Sequence, residues 1–404
     1  MSLRGFGFPA LMLLAALSMS CSTSNSPSST GVTGYLWLTA QGNTTVQAYT
    51  INTTNGSLSL NGSAVGTSST PTSIVITPKG DALFVSGSGT GTQSTGGGIS
   101  AYKINSDGTL APQGTMTMAG PTPLGMAINP AGTFLFVANQ GSFDLTPPGA
   151  QGGSISVFSV SGTTLAPVTG SPFSTETNGG NIGTGPVSAA VSASGNYLYV
   201  ANQFANTVTS FQISSSGALT QLSSTSVGLS PSAVFVSVAQ TNVAGGQYLY
   251  VANTGSNNIS GFAICDAANG TGCTTPNGVL TPLTGSPFPA QPGPVAIAMD
   301  PTAPSLYAAD KQSNQVSEYS WSSGTGVLTA LTPGMISAGG SPVSLAIRSG
   351  SPATATVAGT DFMYVPNLNG SSISVFSLNT TTGQLNVSGS PVTTPSQPSA
   401  VIAR

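Results

Sequence analysis

The four residues Tyr199-Val200-Ala201-Asn202, followed after a short polar turn by residues 208–213 (VTSFQI), recur along the chain. The copies beginning at Tyr250 and Tyr364 keep an aromatic residue, an aliphatic residue and a final Asn. Copies beginning at Phe136 and Tyr307, the latter with Asp in place of Asn, and two more divergent copies bring the series to seven units. Their aromatic anchors are Trp37, Phe84, Phe136, Tyr199, Tyr250, Tyr307 and Tyr364. A repeat this long means that each unit is a supersecondary structure that packs against its neighbours.

Two further alternating segments lie between successive anchors. One follows a Gly turn, as in residues 278–283 (GVLTPL), and the other begins at a Pro, as in residues 294–299 (PVAIAM). Together with the two segments of the anchor unit they give four strands per repeat, which is typical of a propeller blade. A parallel β-helix is the alternative, but its coils are about half as long and lack the hairpin turns. The sequence therefore predicts an all-β, seven-bladed β-propeller with four-stranded blades.

The two ends of the repeat array complement each other. The array starts at Gly34 with an anchor strand that lacks a Pro-led strand before it, and it ends with the Pro-led residues 398–404 (PSAVIAR). We therefore expect the C-terminal strand to complete blade 1, which closes the ring and removes exposed sheet edges. The predicted domain spans residues 34–404.

The composition excludes several classes of partner. Only 4% of the 404 residues are charged, and six are Lys or Arg. This number is too small for a phosphate-binding stripe on nucleic acid or a polybasic membrane patch. A neutral ligand, a glycan or another protein fits such a surface better, and we expect a monomer.

The N-terminal residues 1–20 have the order of a secretory signal peptide. A single Arg4 precedes an apolar run of about 12 residues, too short to span a bilayer, and small residues follow it. The next residue, Cys21, resembles the acylated cysteine of bacterial lipoproteins, although Ser18 stands where those signals favour Leu. The sequence predicts a lipid on Cys21 that anchors the protein to the cell envelope, with residues 21–33 as a Ser/Thr-rich tether. An outer-membrane lipoprotein is the expected location, and plain secretion is the alternative.

The anchor units resemble those of YVTN-repeat proteins and of the lactonase-like seven-bladed propellers, which include a bacterial type of 6-phosphogluconolactonase. The resemblance covers about residues 34–404, and the Thr-Gly-Ser-Pro-Phe segments at 169–173 and 284–288 add to it. It implies the propeller fold strongly and an activity only weakly, because these residues build blades. Lactone hydrolysis in some relatives is attributed to His, Arg and acidic groups, and this sequence contains no histidine. No metal site and no cofactor are expected.

The turns after the anchor units, with the loops that enter the Pro-led strands, should lie on one face. As an enzyme, the protein would use Glu176 or Asp310 as a general base and Lys311 to stabilise an oxyanion. The expected ligand-binding face also carries Asn139, Asp144, Asn202, Asn253 and Asn367. The alternative is that these Asn and Asp side chains end strands and bind their own turns.

Two further sets of residues lead to structural expectations. Cys265 and Cys273 close a short loop and are predicted to form a disulfide, since a metal clip would need more ligands. Asp300, Arg348 and Arg404 occupy equivalent positions at the ends of Pro-led strands. They are expected to form either a salt-bridge network that holds the closing strand or an anion-binding site.

On this basis, non-catalytic binding of a neutral ligand, glycan or protein is the leading functional hypothesis. A lactonase-like hydrolase that works without histidine is the alternative, and a structural role in a surface layer is the third.

Overall fold

A computed structural model of the protein describes residues 32–89, 97–141, 152–176, 183–227, 235–237, 247–266, 276–301, 303–348 and 360–404. Every regular element in these ranges is a β-strand. Across the same ranges no helix has the length and apolar character needed to cross a membrane.

The described strands form seven antiparallel sheets, each with an inner, a second, a third and an outer strand. The predicted seven-bladed propeller with four-stranded blades is therefore confirmed. From blade 1 to blade 7, the inner strands are Pro398–Ala403, Thr70–Ile76, Pro123–Ile128, Pro186–Val191, Phe235–Ser237, Pro294–Met299 and Ala346–Arg348. The second strands are Val32–Ala40, Ala82–Ser88, Phe134–Asn139, Tyr197–Asn202, Gln247–Asn253, Ser305–Asp310 and Thr360–Asn367.

The third and outer strands complete each blade on its outer side. The third strands are Thr45–Asn52, Gly98–Ile104, Ser154–Ser161, Thr207–Ile213, Asn258–Ile264, Gln315–Trp321 and Ser372–Asn379. The outer strands are Leu58–Leu60 with Val65–Gly66, Leu110–Met118, Thr164–Pro167 with Phe173–Ser174, Leu219–Ser226, Leu280–Pro282 with Phe288–Pro289, Leu328–Ser337, and Leu385–Val387 with Val392–Thr393.

The C-terminal strand closes the ring as predicted. Pro398–Ala403 pairs antiparallel with Val32–Ala40, with Leu38 opposite Val401. Beyond this ladder, the backbone groups of Tyr35 and Arg404 exchange two N–H···O hydrogen bonds of 2.9 Å each. Blade 1 is thus assembled from both ends of the array.

The hydrophobic core lies between neighbouring blades. The second strand of each blade is buried on both faces, which explains the continuous apolar runs such as YLYVAN at Tyr197–Asn202. One cluster joins Tyr199 of blade 4 to Phe262 of blade 5, and another joins Tyr49 of blade 1 to Tyr364 of blade 7. All seven aromatic anchors are buried.

Several aromatic anchors also connect one blade to the next by a hydrogen bond. The donor is the anchor's ring N–H or O–H, and the acceptor is a glycine carbonyl in the outer turn of the following blade. The pairs are Trp37 with Gly108 (2.9 Å), Tyr250 with Gly326 (2.7 Å), Tyr307 with Gly383 (2.7 Å) and Tyr364 with Gly56 (3.0 Å). The last pair joins blade 7 to blade 1. By contrast, the buried hydroxyl of Tyr199 has no hydrogen-bond partner in the described structure.

This difference between anchors predicts a difference between two matched substitutions. Tyr364→Phe removes the donor to a buried carbonyl, so we expect a loss of about 1–3 kcal/mol in the free energy of unfolding. Tyr199→Phe removes a hydroxyl without a partner and should change that free energy by less than about 0.5 kcal/mol. Urea denaturation of both variants measures the two effects. Equal losses would show that the inter-blade hydrogen bond contributes nothing beyond the packing of the ring.

Candidate active site at the channel mouth

The inner strands enclose a central channel with a cavity volume of about 1410 Å³. We call the end of the channel where the inner strands begin, and where the second strands end, the mouth. Polar side chains line the mouth, and most of the side chains deeper in the channel are apolar. The mouth is therefore the place where a polar ligand could enter and be held.

The first residue after a second strand forms part of the rim of the mouth in five blades. These rim residues are Gln41, Gln203, Thr254, Lys311 and Leu368. In four of them the backbone N–H donates to the carbonyl of the residue before the inner-strand proline or its equivalent. The donor–acceptor pairs are Gln41 with Gln397 (2.9 Å), Gln203 with Gly185 (2.7 Å), Lys311 with Gly293 (2.8 Å) and Leu368 with Ser341 (2.9 Å). A repeated backbone hydrogen bond thus fixes the backbone position of these four rim residues.

The acceptor residues share an uncommon backbone conformation. Gly293 has a φ of 78° and Ser341 a φ of 58°, both in the left-handed region, where residues with a Cβ are uncommon. A Cβ built on Gly293 would lie 2.6 Å from Cγ of Gln312, so glycine is required at this position. This turn holds the backbone of Lys311 in place.

Lys311 is the charged residue among the described side chains that line the channel. Within the described part of the chain, its ammonium group forms no hydrogen bond or ion pair. The nearby mouth is built from amides and hydroxyls: Asn314 Oδ1 accepts from the N–H of Ser341 (2.7 Å), and Asn369 Nδ2 donates to Ser341 Oγ (2.8 Å). Lys311 therefore presents a positive charge beside a hydrogen-bonding rim.

The other basic residues of the propeller lie at the opposite end. Lys79 is in the turn that follows an inner strand, and Lys103 pairs with the first residue of a second strand. Arg348 is the last residue of one inner strand, and Arg404 directly follows another. The sequence has six Lys and Arg residues; these four, Lys311 and Arg4 of the N-terminal segment make up that total. Among the described residues, Lys311 is thus the one Lys or Arg at the mouth.

Asp310 directly precedes Lys311 but does not line the channel. Its side chain is fully buried, and Oδ2 accepts a hydrogen bond from Ser317 Oγ (2.7 Å). Burial raises the pKa of this carboxyl to about 7, against the opposing effect of the Ser317 hydrogen bonds. A base must reach the water that it activates. Asp310 is enclosed within its blade and is not among the residues that line the channel.

The four asparagines expected on the ligand-binding face are also buried. Their amides donate to hydroxyls of the third strand in the same blade. The shortest of these bonds join Asn139 to Ser156 (2.9 Å), Asn202 to Thr209 (2.7 Å), Asn253 to Ser260 (2.8 Å) and Asn367 to Ser374 (3.0 Å). These side chains therefore link strands inside the blade, which agrees better with the structural alternative than with contact to a ligand. Asp144 lies outside the described residues.

Glu176 lies apart from Lys311, in the connection between blades 3 and 4. Its Oε1 accepts hydrogen bonds from the backbone N–H of Gly153 and from both the N–H (3.0 Å) and the hydroxyl (3.1 Å) of Thr184. It is not among the channel-lining residues. The structure therefore does not bring the proposed acid–base and oxyanion residues together in one pocket.

Comparison with known proteins identifies the family. The sequence matches the family described as Lactonase, 7-bladed beta-propeller, in two overlapping segments, residues 32–181 and 153–345. The chain belongs to this lactonase family. A search among curated proteins finds no match.

Solved structures share the fold of this lactonase-family propeller at low sequence identity. The periplasmic gluconolactonase PpgL of Pseudomonas aeruginosa is 20% identical, with a TM-score of 0.70, over 92% of this chain and 99% of that one. A candidate 6-phosphogluconolactonase of Bacteroides fragilis is 16% identical, with a TM-score of 0.70, over 94% and 100% of the two chains. A protein from Lactobacillus plantarum is 18% identical, with a TM-score of 0.69, over 92% of this chain and 99% of that one.

The three residues of the expected ion cluster lie at the end opposite the mouth. Asp300 Oδ1 accepts from the backbone N–H of Ala303 (3.1 Å). The equivalent side chains of Thr77, Asn129 and Ser192 likewise accept backbone N–H groups of their turns. Arg348 and Arg404 do come together, since Arg348 Nε donates to the backbone carbonyl of Arg404 (2.9 Å). Burial lowers the pKa of Arg348, and the nearby Asp361 opposes this effect.

Of the three cysteines of this lactonase-family propeller, Cys265 lies within the described residues. Cys265 is disulfide-bonded. Cys273 and Cys21 lie outside the described residues, so the identity of the partner and the lipid anchor remain predictions. Among the described residues no group of three or more His, Cys, Asp or Glu side chains could hold a metal ion.

Sequence reasoning did not identify the polar rim formed by Gln41, Gln203, Thr254 and Asn369. A signal was available, because three of them directly follow the last position of a second strand, as Lys311 does. The sequence also contained a signal for the hydrogen bond between the last residue of the second strand and a hydroxyl of the third strand. In blades 4 to 7 an Asn or Asp is followed seven positions later by Ser or Thr, as in Asn202 with Thr209.

Proposed function

We propose that the protein hydrolyses a lactone at the channel mouth. The observation that carries this proposal is Lys311, a positive charge without an anionic partner in the described channel lining. Membership of the lactonase family supports it. So do the gluconolactonase PpgL and the candidate 6-phosphogluconolactonase, which have the same fold.

The chemistry requires little from the protein beyond electrostatic stabilisation. Water adds through its oxygen to the lactone carbonyl carbon, and negative charge develops on the carbonyl oxygen. The ring C–O bond then breaks. The former ring oxygen becomes a hydroxyl group of the product, with a proton from the same water molecule. The Lys311 ammonium would stabilise the developing oxyanion, while neighbouring amides such as Gln312 orient the ring hydroxyls.

The charge at the mouth favours a lactone without a phosphate group. A phosphate with about two negative charges is usually bound by several cationic or backbone N–H donors. Lys311 is the sole Lys or Arg of the propeller at this end, and it is already assigned to the carbonyl. We expect kcat/KM for glucono-δ-lactone to exceed that for its 6-phosphate.

The test is a comparison of two lysine variants in a pH-stat assay with glucono-δ-lactone, corrected for spontaneous hydrolysis. Lys311→Met should lower kcat/KM by about 100-fold, the size of effect expected when one oxyanion-stabilising group is lost. Lys103→Met is the matched control, because Lys103 is exposed at the opposite end, and its kcat/KM should stay at the parent value. Equal activity in both variants would remove Lys311 from the reaction.

A binding protein without catalytic activity is the second candidate function. It is favoured by the placement of Asp310 and Glu176, whose carboxylates are engaged inside the blade and between blades and do not line the channel. A neutral ligand such as a glycan would then occupy the same rim. Saturable binding of a sugar, with no hydrolysis of any lactone above the buffer rate, would support this candidate.

We further propose that the protein is exported and carries a lipid on Cys21. The N-terminal sequence supports this location, as does the periplasmic location named for PpgL. Cys21→Ala should move the protein from the membrane fraction to the soluble fraction, whereas Ser22→Ala should leave it with the membrane. A soluble parent protein that retains Cys21 would contradict the lipid anchor.

A further inference from the structure

The channel is larger than a bare lactone ring requires. Pockets for drug-sized ligands occupy roughly 300–1,000 Å³, and this cavity measures about 1410 Å³. Its length follows the inner strands, since residues near both ends of the same strand, such as Leu124 and Ile128, line it. A ligand held at the mouth could therefore extend down the channel.

The wall below the mouth is mainly apolar. Leu124, Met126, Val187, Val295, Ile297 and Val343, from blades 3, 4, 6 and 7, contribute to it. Leu124, Val295 and Val343 are only partly buried, so side-chain surface remains accessible within the channel. This surface would gain from contact with a hydrocarbon chain.

Several wall hydroxyls are already used by the protein. Thr72 Oγ1 donates to the carbonyl of Pro123 (3.0 Å), and Ser399 Oγ lies 2.8 Å from Thr39 Oγ1. Ser344 Oγ accepts from the N–H of Val401 (3.4 Å). A polyhydroxylated group placed beside them would lose hydrogen bonds to water and find few replacements, which is unfavourable.

We infer that the substrate is an amphiphilic lactone, with its ring at the Lys311 end and an alkyl or acyl tail that extends along the apolar wall. This inference rests on the proposed function for the ring, whereas the tail site rests on the wall alone. The polar rim would contact the polar end of such a ligand, and the apolar wall would contact its hydrocarbon end.

The experiment measures binding separately from turnover. Non-hydrolysable δ-lactams with no tail, a butyl tail and an octyl tail are titrated by calorimetry below their micelle concentrations, and the matched lactones are assayed for hydrolysis. Each buried methylene should strengthen binding about three- to four-fold. Val295→Trp should abolish the dependence on tail length by filling the channel. Val279→Trp, on the exposed surface of blade 5, should preserve it.

The outcomes separate the two claims. If affinity rises with tail length but no lactone is hydrolysed, the tail site stands and the proposed hydrolase activity fails. If short lactones are hydrolysed and affinity does not change with tail length, the amphiphilic substrate is excluded while the hydrolase remains. Tail dependence that survives Val295→Trp in a variant with parental urea stability would place the tail outside the channel and overturn the inference.

Discussion

Deletion of residues 398–404 should unfold the propeller or leave it close to unfolding at room temperature. The deleted strand supplies the inner edge of blade 1, where five residue pairs join it to Val32–Ala40. Val401 packs in the cluster shared with blade 7, and Ala400 packs in the cluster shared with blade 2. Removing this strand opens the ring at one point and exposes two apolar interfaces.

The expected loss is about 5 kcal/mol or more, counting about 1 kcal/mol for each lost ladder hydrogen bond and the burial of Val401 and its neighbours. A loss of this size is comparable to the total stability of many domains. Urea denaturation, followed by tryptophan fluorescence, measures it. Arg404→Ala, which keeps the strand, is the control and should lower stability far less. A truncated protein with the parental midpoint would show that the C-terminal strand is dispensable for closure.

Asp310→Asn is expected to stabilise the protein at alkaline pH. Burial raises the pKa of Asp310 from its ordinary value of 3.8 to about 7. The native state therefore holds this proton more tightly than the unfolded state does. The resulting stabilisation is complete below about pH 4 and is lost as the pH rises through about 7. At pH 8 the parent protein carries a buried charge that Asn does not introduce.

Each pH unit by which a pKa moves corresponds to about 1.4 kcal/mol, so the shift of Asp310 sets an upper limit near 4 kcal/mol. We expect Asp310→Asn to raise the free energy of unfolding by about 2 kcal/mol or more at pH 8, with the gain decreasing towards pH 4. Asp107→Asn is the control. Its exposed carboxyl has a lowered pKa because of hydrogen bonds from Thr109, so its pH dependence should have the opposite sign. A gain from Asp310→Asn that is the same at pH 4 and pH 8 would contradict the assignment.

The sequence predicted the blades well because their determinants are local and repeated. Aromatic anchors such as Tyr307, and Pro-led strands such as residues 294–299, identify the buried second and inner strands in every unit. Closure could also be predicted, because each end of the array lacked the strand that the other end supplied. These features depend on periodicity, which the sequence displays directly.

The direction of individual side chains was harder to predict. The repeat places Asn202 and Asn253 at the correct end of the blade, but it does not show that their amides bond to Thr209 and Ser260 on the neighbouring strand. The repeat likewise does not show that the carboxylate of Glu176 accepts hydrogen bonds from the backbone N–H groups of Gly153 and Thr184. Lys311 was recognised as a candidate, whereas its surroundings depend on residues contributed by several blades.

A crystal structure of the protein with glucono-δ-lactam, a non-hydrolysable analogue, tests the location of the site most directly. The account predicts that the lactam ring occupies the mouth, with its carbonyl oxygen within about 2.7–3.2 Å of Lys311 Nζ and its hydroxyls near the amides of the rim. A lactam bound at the opposite end of the propeller, or at the mouth with its carbonyl turned away from Lys311, would contradict the account.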